Sequence, residues 1–175
     1  PMVFVRASDL GLTGIESPAQ IDSDDRMLKL LEDIRCIAAE KMGIAERSVA
    51  REKVRAVPMV AFVAPPQDYR SHIDGTPVSG KDIDFVSRDM FMQIMHKTYS
   101  GTATVCTGCA AVTPGTLVYQ LRGPKQDGIV RIGHPGGIIE CDTAVENGVI
   151  TRAVFGRTAR RIMEGRVYVP RTVLD

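Results

Sequence analysis

Residues 100–112 read SGTATVCTGCAAV, and how this stretch is taken decides the fold. Its Cys106-x-x-Cys109 pair invites metal or redox chemistry. A structural zinc site needs four ligands, so Cys36 and Cys141 would have to join from unrelated elements, with no second Cys-x-x-Cys in the chain. A thioredoxin-type pair sits at a helix N-terminus directly after a strand, whereas the element predicted before this one is a helix. The third reading takes the segment whole. Ser100-Gly101-Thr102 forms a turn, and a helix of small residues runs from about Ala103 to Val112, suited to packing inside other structure. The start of such a helix presents main-chain N–H groups without partners and a partial positive charge, which together suit a carboxylate. Thr102 and Thr104 add hydroxyls there. Spacing alone favours a close-packed core helix with no ligand.

The rest of the chain narrows the setting. With 175 residues, 44% of them hydrophobic, and a net charge of +1, it suits one compact domain or two small lobes that bury about two-thirds of the unfolded surface. Interspersed charges give no footprint for nucleic acid or an anionic membrane, and five Phe, four Tyr and no Trp leave few stacking platforms for bases. No apolar run approaches the ~20 residues of a membrane span, and no signal peptide is evident. Four cysteines are too sparse for a disulfide scaffold, so a reducing, cytoplasmic setting is expected.

The sequence opens on a strand, Val3 to Arg6, followed by a polar, turn-rich stretch to Gln20. A long helix follows, capped by Asp22 or Ser23, with Asp24 and Asp25 at its positive end. Met27, Leu30, Leu31, Ile34, Ala38 and Met42 form its stripe, Cys36 lies off the stripe as a passive thiol, and Gly43 stops it. Val57 to Ala64 is an apolar run bounded by prolines and reads as a buried strand, with Pro58 at its start or at an edge. Residues 67–80 read as a loop holding a solvated His72. Residues 81–101 read as a second helix, with Phe85, Val86, Met90, Ile94 and Met95 inward and His96-Lys97 in its last turn. Beyond it the pattern is β-rich. Asn147-Gly148 predicts a type I′ hairpin turn, preceded by Ile139, Cys141, Thr143 and Val145 alternating with polar or small residues, so that Cys141 is a core position. Arg166 to Pro170 reads as a last strand.

A second glycine-rich segment, RIGHPGGIIE at 131–140, lies between two strands. Pro135-Gly136 fits the central positions of a type II turn, Gly136 and Gly137 allow close main-chain approach to a ligand, and His134 could hydrogen-bond an anion. An ordinary hairpin connection explains the same residues equally well.

Taken in order, PMVFVRASDLGLTG, HKTYSGTATVCTGCAAVTPGT, VRIGHPGGI and TRAVFGRTARRIMEGRVYVP resemble the C-terminal half of the PrpF family, which includes 2-methylaconitate cis–trans isomerases and 4-oxalomesaconate tautomerases. The resemblance covers nearly the whole chain. Family members usually have Ser at the position of Gly136, so this chain lacks one hydroxyl there. The resemblance implies an α+β, diaminopimelate-epimerase-like fold, in which two lobes each wrap a strongly curved, mostly antiparallel sheet around a central helix. The active site lies between the lobes. Residues 1–175 would form the C-terminal lobe, with SGTATVCTGCAAV as its central helix and Cys106-x-x-Cys109 neither metal nor redox. The family's opening strand normally follows a first lobe, so the chain is expected to be a fragment, a separately expressed domain or a truncated product.

The implied reaction is a 1,3-allylic proton shift in an unsaturated di- or tricarboxylate, with no cofactor and no metal. Ser100, Gly101, Thr102, His134, Pro135, Gly136, Gly137 and Ile138 are the implied carboxylate-binding residues. Cys106 falls near the second catalytic cysteine of the superfamily's epimerases and is a candidate catalytic residue. In the PrpF branch the proposed acid/base residues are a Lys and a Cys of the first lobe. The implied partners are a small polycarboxylate and either the missing lobe or a homo-oligomer. Two other readings stay open: a non-enzymatic carboxylate-binding or assembly module, and a cysteine-based epimerase completed by a second cysteine from elsewhere.

Overall fold

The two apolar runs near the N-terminus form neighbouring strands. In the computed structural model, which describes residues 1–125 and 128–173, β1 (Met2–Arg6) runs parallel to β2 (Met59–Ala64). Every residue of β2 is buried, because helices cover both faces of the sheet's centre. β2 is antiparallel to β5 (Phe85–Phe91), which pairs on its other side with β6 (Ile94–Met95) and, in parallel, with β7 (Ile129–His134). β7, β8 (Gly137–Glu146) and β9 (Val149–Phe155) continue as antiparallel hairpins. The sheet order is β1-β2-β5-β7-β8-β9, with β6 alongside β5. A separate small pair joins β3 (Tyr69–Arg70) to β4 (Pro77–Val78). The helices are α1 (Pro18–Asp22), α2 (Asp25–Lys41), α3 (Arg47–Lys53), α4 (Gly101–Val112) and α5 (Leu117–Arg122).

The sheet curls around α4. Six flat strands would span about 24 Å, yet α4 touches both ends of the row. The Thr107 hydroxyl donates to the Met2 sulfur of β1 at 3.8 Å, and Gly101 abuts the Phe155 ring of β9. Small residues allow this proximity. A Cβ on Gly108 would overlap the Cys141 side chain of β8, so any larger residue there would push the helix off the sheet. The expected α+β architecture, a strongly curved, mostly antiparallel sheet wrapped around a central helix, is the one observed.

The two faces of the sheet hold separate cores. On one, Val60, Phe62, Ala64, Val86 and Met90 pack with Ile21 of α1 and Leu31 of α2. On the other, Met59, Phe85, Val130, Ile132 and Cys141 pack with Ala103 and Ala111 of α4 and Val118 of α5.

Several sequence expectations are corrected. Residues 85–91 and 94–95 are strands rather than a helix. β5 is buried on both faces, so its apolar residues fall on successive positions and lose the period of two that would identify a strand. Its hairpin turns at Met92 and Gln93, both at positive φ (51 and 71), and Ile94 is exposed. The long helix starts later than read: Asp24 caps it by accepting the Met27 N–H at 2.9 Å, while Asp22 ends α1, whose own cap is Ser17. The buried side of α2 is turned towards Leu31, Arg35, Cys36, Ala38 and Ala39, leaving Leu30 and Met42 exposed. Cys36 is thus inside a small cluster with Ala39 and Ala50 rather than off the face. Residues 67–80 contain the β3–β4 pair. The Asn147-Gly148 turn has both residues at positive φ (52 and 77), as a type I′ turn requires, although Val145 is exposed. Arg166–Pro170 forms no strand and is exposed throughout; no neighbouring strand among the described residues supplies ladder hydrogen bonds to it.

Candidate functional site

Ser100 is the N-cap of α4, in extended conformation (φ −72, ψ 145), and its Oγ accepts the Ala103 N–H at 3.2 Å. The first N–H groups of the helix have no partner within it, and Gly101 brings them to the surface under the Phe155 ring. An added Cβ there would lie 2.5 Å from the ring edge. Thr102 is exposed beside them. Thr104 is not at the tip: its hydroxyl donates back to the Ser100 carbonyl at 2.9 Å and is buried.

The turn after β7 is held from behind. The Tyr69 hydroxyl lies 2.8 Å from the His134 carbonyl and 2.6 Å from the Gly137 carbonyl, and the His72 N–H donates to the Pro135 carbonyl at 2.7 Å. Arg88, almost completely buried, lies 5.1 Å from the Tyr69 ring centre and donates to the carbonyls of Glu16, Ser87 and Gly133. Burial pulls its guanidinium down to about 10, which still leaves it charged at neutral pH. The turn is not type II: Gly136 lies outside the left-handed region, and Gly137 carries the positive φ of 134. Gly136 is needed for space, since a Cβ would come within 2.8 Å of Ile73 and 3.1 Å of Thr98.

His134 is buried at the end of β7 and its Nδ1 accepts the Gly136 N–H at 3.1 Å. This acceptor role assigns the proton of the neutral ring to Nε2. Burial, with Arg88 and His96 adding to it, pushes the imidazole down to about 4. At neutral pH His134 therefore offers a hydrogen bond rather than a positive charge.

Helix tip and turn meet. Gly101, His134 and Ile138 line one open cavity of about 280 Å³, together with Thr98, Tyr99, Ile139, Phe155, Gly156, Arg157 and Thr158. Arg157 supplies a cation next to a helix N-terminus and a neutral imidazole donor, a combination suited to an organic carboxylate. The other binding residues read from sequence do not line this cavity: Ser100 caps the helix, Thr102 is exposed in its first turn, and Pro135, Gly136 and Gly137 build the turn between His134 and Ile138. Cys106 does not line it. Cys106 lies over a turn further along α4, half-buried, and burial pushes its thiol up, away from the thiolate a nucleophile or base requires. Burial raises Cys109 as well. Among the described residues no group of three His, Cys, Asp or Glu side chains comes together that could hold a metal ion, and no helix is long and apolar enough to cross a membrane.

Sequence reasoning missed Tyr99, Phe155, Arg157 and Thr158 at the cavity, and Asp89 behind it. Tyr99 immediately precedes the helix cap, so its neighbourhood was readable. Phe155 and Arg157 flank Gly156 at the end of a strand, where side chains emerge at a sheet rim, and that was the available signal. Asp89 was hidden by the helical reading of 81–101.

Residues 1–170 match the family model described as PrpF protein. A 3-methylitaconate isomerase of Eubacterium barkeri is 49% identical over 99% of this chain and 46% of its own length. A 2-methyl-aconitate isomerase of Shewanella oneidensis is 38% identical over 98% of this chain and 44% of its own. The crystal structure of a methylitaconate-delta-isomerase superposes with a TM-score of 0.88 at 48% identity, covering 99% of this chain and 46% of that one. The chain spans under half the length of the relatives it matches.

Proposed function

The chain belongs to the PrpF family and has its diaminopimelate-epimerase-like fold, and on that premise we propose that it is the carboxylate-holding lobe of an isomerase that shifts a double bond in unsaturated di- or tricarboxylates. The observation that carries this reading is the convergence of Gly101, at the tip of α4, with His134 and Ile138, at the two ends of the turn, on one cavity that also contains Arg157. Its relatives are named for 3-methylitaconate, 2-methyl-aconitate and oxalomesaconate, all small unsaturated polycarboxylates.

The proposed chemistry needs no cofactor. A base removes the γ C–H proton, the electron pair shifts the double bond and spreads charge onto a carboxylate or carbonyl, and an acid returns a proton to the α carbon. Fixed donors aimed at that charge are worth roughly 3–4 kcal/mol each where single donors have been removed from other enzymes. Here the α4 tip, the neutral His134 ring and the Arg157 guanidinium would hold the charge. We assign the proton-transferring base and acid to a second lobe facing this cavity, because the raised thiol of Cys106 and the lowered imidazole of His134 are each mistuned for base work near neutral pH. Assayed alone on 2-methylaconitate or 4-oxalomesaconate, the chain should show little or no turnover while still gaining thermal stability from the acid. Turnover at the rate of the full-length relatives contradicts the half-site reading.

One observation favours a second use of the same fold, as a carboxylate-binding or assembly module. Ile162, Met163, Val167 and Tyr168 are 82%, 79%, 88% and 92% exposed in a segment without regular structure, and clustered exposed apolar side chains favour association. Light scattering of the purified chain separates the two: a stable homo-oligomer supports assembly, and a monomer supports a surface reserved for the other lobe.

A further inference from the structure

Asp89 lies in the middle of β5 with its side chain completely removed from solvent. Its Oδ2 accepts the Ser100 N–H at 3.3 Å. Its Oδ1 has no hydrogen-bond partner, an exception to the rule that buried polar atoms are satisfied. The carboxyl thus stands directly behind the α4 tip, one residue from Gly101, which lines the cavity.

The groups facing it are few. His96, after β6, donates its N–H to the Asp89 main-chain carbonyl at 2.9 Å, and its ring favours the ionised carboxyl. Tyr99, on the same connection, is fully buried with its hydroxyl 2.8 Å from Ser87 and 2.9 Å from Thr107, and burial together with Asp89 raises it. Opposite Asp89 on β2 stands apolar Ala61, and α4 contributes the uncharged Ser100. Burial outweighs the attraction of His96 and the Ser100 hydrogen bonds and pushes the Asp89 carboxyl up to about 6.

We propose that Asp89 is a positioning residue for the anion site: it fixes Ser100 and the α4 tip, and its carboxyl takes up a proton when that tip captures a carboxylate. This deepens, and rests on, the carboxylate reading of the cavity. A charged Asp89 occupies the same positive helix end that the ligand needs, and two like charges a few ångströms apart across buried structure repel strongly. By linkage, a proton on Asp89 and an anion at the tip then favour each other by the same factor.

Calorimetric titration of the chain with mesaconate, an unsaturated dicarboxylate, tests this between about pH 5.5 and pH 8, where both ligand carboxylates stay ionised. The native chain should bind about tenfold more weakly at the higher pH. Asp89→Asn, whose amide oxygen can still accept the Ser100 N–H, should bind at the higher pH as the native chain binds at the lower, with no slope. Buffers of different ionisation enthalpy should reveal proton uptake by the native chain, a readout independent of any variant, and none by Asp89→Asn. His96→Gln should keep the slope. An equal slope in the native chain and Asp89→Asn, or a slope lost only with His96→Gln, overturns the proposal. Binding without pH dependence overturns it alone, whereas no binding at any pH overturns the carboxylate reading and this inference with it.

Discussion

Glu32 on α2 and Asp89 on β5 are both buried carboxylates, and their surroundings could hardly differ more. Arg35 binds both Glu32 oxygens at 2.7 and 2.8 Å and spends its remaining N–H groups on the carbonyls of Ala50, Val54 and Val57. The Cys36 thiol adds a contact at 3.3 Å. Burial would raise Glu32, but the hydrogen bonds led by Arg35 outweigh it and hold the carboxyl below its usual range. That cluster is closed: it staples α2 to the segment carrying α3 and has no group left to offer. Asp89 has one long hydrogen bond from the Ser100 N–H, an unpartnered oxygen and a raised carboxyl, and Ser100 is the neighbour of Gly101 in a solvent-open cavity. The difference separates a polar group that builds the fold from one left incompletely satisfied beside the cavity proposed to hold a carboxylate.

The comparison breaks most visibly at Arg35. Arg35→Met strands Glu32 and three main-chain carbonyls, of which that of Ala50 is buried, and should lower stability by about 3–5 kcal/mol in denaturant melts, as removal of one partner of a buried ion pair does. A loss below about 1 kcal/mol, the range of exposed pairs, would show that the cluster is not the staple described. Asp89→Asn should act in the opposite direction and more weakly. A carboxyl raised by folding contributes stability below its unfolded value and loses it as pH rises through its folded value, here about 6. The variant should therefore match the native chain near pH 4 and gain on it by about 2 kcal/mol by pH 8. Equal melting profiles across that range would show that Asp89 is better solvated or paired than its geometry indicates.

The legible parts of the sequence were those fixed by local chemistry. The run of small residues after Ser100-Gly101-Thr102 marked a close-packed helix, although that helix starts at Gly101 with Ser100 as its cap rather than after a three-residue turn; Asn147-Gly148 marked a hairpin, and the apolar run through Ala64 marked a buried strand. The parts that depend on what lies opposite were less legible. Phe85 to Met95 looked helical because burial on both sheet faces erased the alternation. That error also concealed the register placing Ser87 and Asp89 together against α4. Gly136 was singled out for a dihedral it does not adopt; the Ile73 and Thr98 side chains that demand a glycine there come from two distant segments. The cavity itself was half visible. Its helix tip and turn carry glycine-rich motifs, whereas Phe155 and Arg157 carry none and reach it only because the sheet curls far enough to bring β9 over α4.

The central claim is that the α4 tip and the 134–138 turn hold one anion together. A ¹H–¹⁵N NMR titration with mesaconate tests it most directly. The account predicts saturable shifts at the amides of Gly101, Thr102 and Gly136–Ile138, with the amides of Arg35 and Cys36 unmoved. Shifts confined to one of the two segments, or centred on another part of the surface, would contradict it.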